Sequence, residues 1–111
     1  MELYQEMQYY EDLLIKALVE YKERGRVYAK AYRNYRVALA KELLKLKAEG
    51  MPVTIAYDIA RGTEEIADMK EQEIITESLY KSCQEAINTY KLKIKIIENE
   101  TERDWEQAKR Q

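Results

Sequence analysis

Apolar side chains recur at steps of three and four along most of this chain, the spacing of one face of an α-helix. In the first half the series runs Leu3, Met7, Tyr10, Leu14, Leu18, Tyr21, Gly25, Tyr28, Tyr32, Tyr35, Leu39, Leu43 and Leu46. In the second half it runs Ile66, Met69, Ile75, Leu79, Cys83, Ala86, Tyr90, Ile94, Ile97, Thr101, Trp105 and Ala108, with a polar gap at Gln72 and Glu73. Between them lies 50–63, which holds the only proline, Pro52, and two of the three glycines, Gly50 and Gly62. The pattern predicts a first helical arm over 2–49, a tip over 50–63 and a second arm over 64–110, all in one domain spanning 1–111.

Local signals sharpen these boundaries. Gly50 can close the first helix, and Pro52 suits the first turn of a short helix from Val53 to Arg61 in which Ile55 and Ile59 fall four apart. Gly62 is a helix terminator, and Thr63 is placed to N-cap the second arm, with Glu64 and Glu65 in the first turn where carboxylates favour the helix dipole. The two apolar series span 43 and 42 residues, which argues for an antiparallel hairpin with Leu46 beside Ile66 and Leu3 near Ala108. Stretches of 4,3,4,4,3 spacing are closer to an eleven-residue than to a seven-residue repeat, so the seam is expected to run straight or slightly right-handed. Gly25 falls on it, and a glycine inside a helix costs roughly 1 kcal/mol relative to alanine. Either a backbone or a bulky tyrosine approaches closely there, or the helix bends.

The expected fold class is therefore all-α: a long antiparallel helical hairpin, coiled-coil-like, with a short helix at its tip. Further apolar residues widen the stripe beyond what one partner helix covers: Leu13, Ile15, Val19, Val27, Val37 and Leu44 on the first arm, and Ile74, Ile87, Leu92 and Ile96 on the second. A thin hairpin also buries little surface by itself, which predicts a homodimer or larger bundle. The seam residues expected to carry that packing are Leu14, Leu18, Tyr21, Gly25, Tyr28, Tyr32, Tyr35, Leu39, Leu43, Leu79, Tyr90, Ile94 and Ile97.

Charge changes the picture in one respect. The net charge is only −2, but 22–47 holds nine bases against Glu23 and Glu42, giving +7, while 1–20 holds five acids against Lys16, giving −4. In an antiparallel hairpin the basic middle of the first arm faces the acidic start of the second, Glu64 to Glu73. Complementary pairing between arms explains the asymmetry without a ligand. The competing reading is a nucleic-acid contact through Arg26, Lys30, Arg33, Arg36, Lys41 and Lys45, with neighbouring tyrosines for stacking. A helix-turn-helix formed by the tip and second arm is disfavoured, because Glu64, Glu65, Asp68, Glu71 and Glu73 would repel phosphates from its reading helix.

The chain carries ten tyrosines and no phenylalanine, a choice that suits half-buried seams and interfaces. Cys83 is the only cysteine and histidine is absent, so no internal disulfide forms and a reducing cytoplasm is the expected setting. Neither a membrane-spanning run nor a signal-like segment is present, and no membrane partner is expected. Glu20/Glu23 and Glu65/Asp68 each place two acids on one helix face, but the Glu-x-x-His pattern of di-iron bundles is missing. With no nucleophile triad, no phosphate-binding glycine loop and no Cys-x-x-Cys, neither an enzyme nor a cofactor is expected.

Residues Ala38-Leu39-Ala40-Lys41-Glu42-Leu43, then Glu49-Gly50-Met51-Pro52-Val53-Thr54, then Ile59-Ala60-Arg61-Gly62 resemble small helical proteins of phages and prophages of Gram-positive bacteria. Ser78-Leu79-Tyr80, Ala86-Ile87-Asn88-Thr89-Tyr90-Lys91 and Glu102-Arg103-Asp104-Trp105 carry the same resemblance, which covers about two thirds of the chain without the first thirty residues. Its motifs are structural and bring no catalytic residues with them. The resemblance implies a small intracellular accessory protein that binds a host or phage protein, for instance to inhibit a defence system. Tyr57, Asp58 and Arg61 at the tip are the expected contact, and a purely structural spacer would leave them without a role.

Overall fold

In the structure, a computed structural model that describes residues 2–110, the described residues form three helices: α1 (Glu2–Ala48), α2 (Val53–Gly62) and α3 (Glu64–Arg110). The expected all-α hairpin with a short helix at its tip is what the chain adopts. Packing divides it into two units, one formed by 1–23 with 81–111 and the other by 24–80.

Gly50 closes α1 by the geometry its lack of a Cβ allows. Its φ is +90°, and the turn is tied by Gly50 N–H to the Lys47 carbonyl (3.0 Å) and Met51 N–H to the Leu46 carbonyl (3.1 Å). These are the paired bonds of a Schellman end, and Met51 packs against the cluster containing Leu46, the apolar contact that accompanies the motif. Pro52 stands at the N-cap of α2, one position before the first helical turn where it was expected, and its carbonyl accepts from Ala56 N–H at 2.9 Å.

The junction between α2 and α3 departs from expectation. Thr63 does accept the first backbone bond of α3 through its carbonyl, from Ala67 N–H at 2.8 Å. Its hydroxyl, however, donates backward to the Ala60 carbonyl at 2.8 Å, and so closes α2 instead of capping α3. Gly62 has no positive φ and open space around it, so it is the last residue of α2 by tolerance and not by need.

Within 24–80, α1, α2 and α3 share a core of Tyr35, Leu39, Leu46, Ala56, Ala60 and Ile66, with Ala38, Leu43, Met51 and Met69 packed against it. The two alanines of α2 are fully buried. Small side chains there let the α2 backbone approach its neighbours, which a leucine would hold away.

Within the other unit, α1 and α3 run antiparallel, with the Cys83 thiol donating to the Ala17 carbonyl (3.4 Å) and Tyr10 against Tyr90 (ring centroids 6.4 Å). This register places Leu3 level with the region of Ile97, about ten residues from the expected Ala108, and residues 101–110 are all exposed. Equal lengths of the two series constrain the reach of the arms but not their stagger.

The period also differs from expectation. On α3 the buried and half-buried positions include Ile66, Met69, Glu73, Thr76, Tyr80, Cys83, Ile87, Tyr90, Ile94 and Ile97, alternating steps of three and four without a break. On α1 they include Leu3, Met7, Tyr10, Leu14, Ala17, Tyr21, Arg24, Tyr28, Ala31 and Tyr35 in the same alternation. That is the seven-residue repeat of left-handed helix pairs, not an eleven-residue one. Tracking large apolar residues alone missed it, because Ala17, Ala31, Glu73 and Thr76 hold seam positions.

Candidate interaction surfaces

The expected seam is met at Leu14, Tyr21, Gly25, Tyr28, Tyr35, Leu39, Leu43, Tyr90, Ile94 and Ile97, all buried or half-buried. It is not met at Leu18 (42% exposed), Tyr32 (45%) and Leu79 (45%), where Ala17, Ala31 and Tyr80 turn inward instead. Gly25 owes its place to a close neighbour: α1 is continuous through it, and a Cβ there would lie 3.0 Å from Tyr80 Cε1.

Tyr80 belongs to a polar layer inside the 24–80 unit. Its ring stacks on Tyr28 with centroids 5.9 Å apart, and the Tyr28 hydroxyl donates to Glu77 Oε2 at 2.6 Å. That bond, aided by desolvation and by the charges of Glu77 and Glu73, pushes the Tyr28 phenol up to about 12. Glu73 is buried on the seam and accepts from Lys70 Nζ at 3.0 Å, while the same ammonium sits 4.9 Å from the Tyr35 ring centroid. The Thr76 hydroxyl satisfies itself on the Gln72 and Glu73 carbonyls (2.7 and 3.0 Å). Among the described residues no buried side-chain nitrogen or oxygen lacks a hydrogen bond, the arrangement of a specificity element more than of a binding cavity.

The tip presents the reverse of an ordinary amphipathic helix. Its buried residues are Ala56 and Ala60, whereas Val53 (58%), Ile55 (52%), Tyr57 (41%) and Ile59 (43%) stand exposed. Tyr57, Asp58 and Arg61 are all exposed as expected, with the Arg61 guanidinium 5.3 Å from the Tyr57 ring centroid. Sequence reasoning picked out Ile55 and Ile59 as the marker of the helix and missed that alanines form its inner face. The signal was available in the small pair four apart.

A groove runs between α1 and α3 within the 24–80 unit. Two adjoining pockets of about 620 and 450 Å³ share Asn34, Glu65 and Met69, and no α2 residue lines either. Val27, Ala31, Ala38, Ile66 and Met69 supply apolar lining. One wall carries Lys30, Arg33, Lys41 and Lys45 of α1 with a single acid, Glu42, among them, for a net charge of +3, and the other carries Glu65 and Asp68 of α3. Four of the six bases considered for nucleic acid therefore lie along one groove. Arg36 sits apart, 6.0 Å from the Tyr32 ring, and Arg26 lines neither pocket.

Among the described residues, no group of three or more carboxylate, thiol or imidazole side chains converges as a metal site would need, and no helix is long and apolar enough to cross a membrane. Comparison of the chain with protein-family models, curated proteins and solved structures finds no match.

Proposed function

We propose that this chain is a non-enzymatic helical binding protein that self-associates and engages a protein partner through its outer helix faces and tip. The observation that carries the reading is the exposure of large apolar side chains on every helix: Ile15, Val19 and Leu44 on α1, Val53, Ile55 and Ile59 on α2, and Ile74, Leu92 and Trp105 on α3. Scattered single apolar residues are ordinary on a protein surface. An α2 whose buried residues are both alanines is not, because burying only its small side chains forgoes most of the available hydrophobic stabilisation. The resemblance to phage and prophage helical proteins supports an accessory role in a bacterial cytoplasm, with a host or phage protein as the target and inhibition of a defence system as one outcome.

Multi-angle light scattering at micromolar concentration tests self-association, and a single species at 13.3 kDa would end that part of the reading. For the tip, Tyr57→Ala/Asp58→Ala/Arg61→Ala should abolish capture of the partner at unchanged far-UV circular dichroism. Unaltered capture would leave the chain a structural spacer.

The second reading, a nucleic-acid-binding accessory factor, draws on the four bases that share the groove wall. Glu65 and Asp68 on the facing wall oppose it, since a phosphate backbone laid along the bases would meet these carboxylates. Salt-sensitive binding of single-stranded or duplex DNA, lost on Arg26→Glu/Lys30→Glu/Arg33→Glu, would restore it.

A further inference from the structure

We infer that the groove between α1 and α3 of the 24–80 unit receives the same groove of a second copy, through a two-fold axis parallel to the helices. The inference rests on the self-association proposed above and specifies its site and geometry. Three observations lead to it.

First, the groove is apolar between its walls and open. Val27 is 46% exposed and Val37 37% exposed, and Ile75 and Leu79 (43% and 45% exposed) lie on the same helices at the same levels. Secondly, α2 contributes Ala56 and Ala60 to the buried cluster that holds Tyr35 and Leu39 and lines neither pocket, so the occupant is not another part of this unit. Thirdly, the walls are opposite in sign, and among the described residues no ion pair joins them.

Charge then selects the symmetry. Tyr28 lies across from Glu77 and Tyr35 across from Lys70, so Lys30 to Lys41 stand at the levels of α3 that carry Glu65, Asp68 and Gln72. A two-fold axis along the helices keeps those levels and exchanges left for right, which lays the basic wall of each copy on the acidic wall of the other. An axis across the helices would instead set basic wall on basic wall. The first arrangement makes a four-helix bundle in which α1 of one copy neighbours α3 of the second, each pair antiparallel.

The groove residues 27–45 extend about 27 Å at 1.5 Å per residue. With helices about 10 Å wide, two facing grooves bury on the order of 1,000 Å² in total, at the lower edge of stable interfaces. A contact of this size belongs to weak, reversible dimers, and this one should weaken further at high salt.

The test is a charge exchange read by sedimentation velocity at about 50 µM, with circular dichroism as the fold control. Wild type should be dimeric. Glu65→Lys/Asp68→Lys and Lys30→Glu/Lys41→Glu should each dissociate at least about a hundredfold more readily. An equimolar mixture of the two should recover a heterodimer, because each basic wall then meets an acidic one. In a Cys83→Ala background, chains carrying Val37→Cys mixed with chains carrying Met69→Cys should cross-link between copies, because α1 of one copy then faces α3 of the other at that level, a readout that needs no charge variant to fold. Cross-linking of Val27→Cys chains to Lys41→Cys chains would overturn the parallel axis. A wild-type oligomer insensitive to both charge reversals would overturn the groove as the site while leaving self-association intact, and a wild-type monomer would overturn both.

Discussion

Glu73 occupies a seam position that the seven-residue repeat reserves for an apolar residue, and replacing it tests whether the polar layer stabilises or only specifies. The Glu73 side chain is 9% exposed and held by Lys70, whose own side chain is 43% exposed. A half-exposed pair of this kind contributes about 0–1 kcal/mol. Burying a leucine at the same position is worth about 1.5–3 kcal/mol relative to leaving it exposed, and exchanging buried ionic groups for apolar ones of similar volume is often neutral or stabilising by about 1–4 kcal/mol. The expected balance for Glu73→Leu is a gain of about 1–2 kcal/mol, which at this chain length raises Tm by roughly 4–8 °C. Lys70→Met should move the other way by about 1 kcal/mol, since it leaves the Glu73 carboxylate without its cation, and the double variant should be close to Glu73→Leu alone. Urea unfolding followed at 222 nm, at two protein concentrations so that association is separated from folding, measures all three. A loss of stability in Glu73→Leu would refute the reasoning and make the carboxylate a positive contributor to helix pairing.

Glycine substitutions should separate by backbone geometry: Gly50→Ala, forced into positive φ, should cost about 1–2 kcal/mol, whereas Gly62→Ala should stabilise by about 0.5–1 kcal/mol, both read by thermal unfolding. Tyr28 should ionise well above the ordinary phenol range in a spectrophotometric titration at 295 nm, with the late step lost in Tyr28→Phe. Its folded pKa lies above the unfolded value near 10, so the stability it lends is fully present below pH 10 and disappears as pH rises through about 12; Tyr28→Phe should flatten stability over that window. The Cys83 thiol, buried against the Ala17 carbonyl, should react with a thiol reagent only as fast as the helices separate, and addition of denaturant below the unfolding midpoint should accelerate it.

The fold was legible because its punctuation is local. Gly50 and Pro52 break the first series through backbone preferences that hold regardless of context, whereas the second break falls at the extended Thr63, with Gly62 only marking its neighbourhood. Stagger and face are not local. Which of Ala17 or Leu18, Ala31 or Tyr32, and Tyr80 or Leu79 turns inward is decided by the opposite helix: the Cys83 thiol reaches the Ala17 carbonyl, and the Tyr80 ring needs the absent side chain of Gly25. A count of large apolar residues ranks these pairs the wrong way, since close packing at a seam selects for fit and not for size.

The same reversal bears on what the outer surfaces do. Had Leu18, Tyr32 and Leu79 been seam residues, the hairpin would have used more of its apolar side chains internally and needed less from a partner. With alanine, glutamate and threonine taking seam positions, large apolar side chains are left outside, on helix faces that neither α1 nor α3 covers for the other. The basic run between Lys30 and Lys45 has a parallel history. It was legible as a charge asymmetry, but its placement along an open groove opposite Glu65 and Asp68 follows from the observed pairing of Tyr28 with Glu77, which sets the level of each wall. A groove with one basic and one acidic wall is complementary to its own copy turned about the helix direction, and it is poorly complementary to a uniformly charged polyanion. Electrostatics thus favours a protein partner for this face over a nucleic acid, and the mixed charge-exchange pair separates the two, because phosphate binding would be strengthened by Glu65→Lys/Asp68→Lys while dimerisation would be lost.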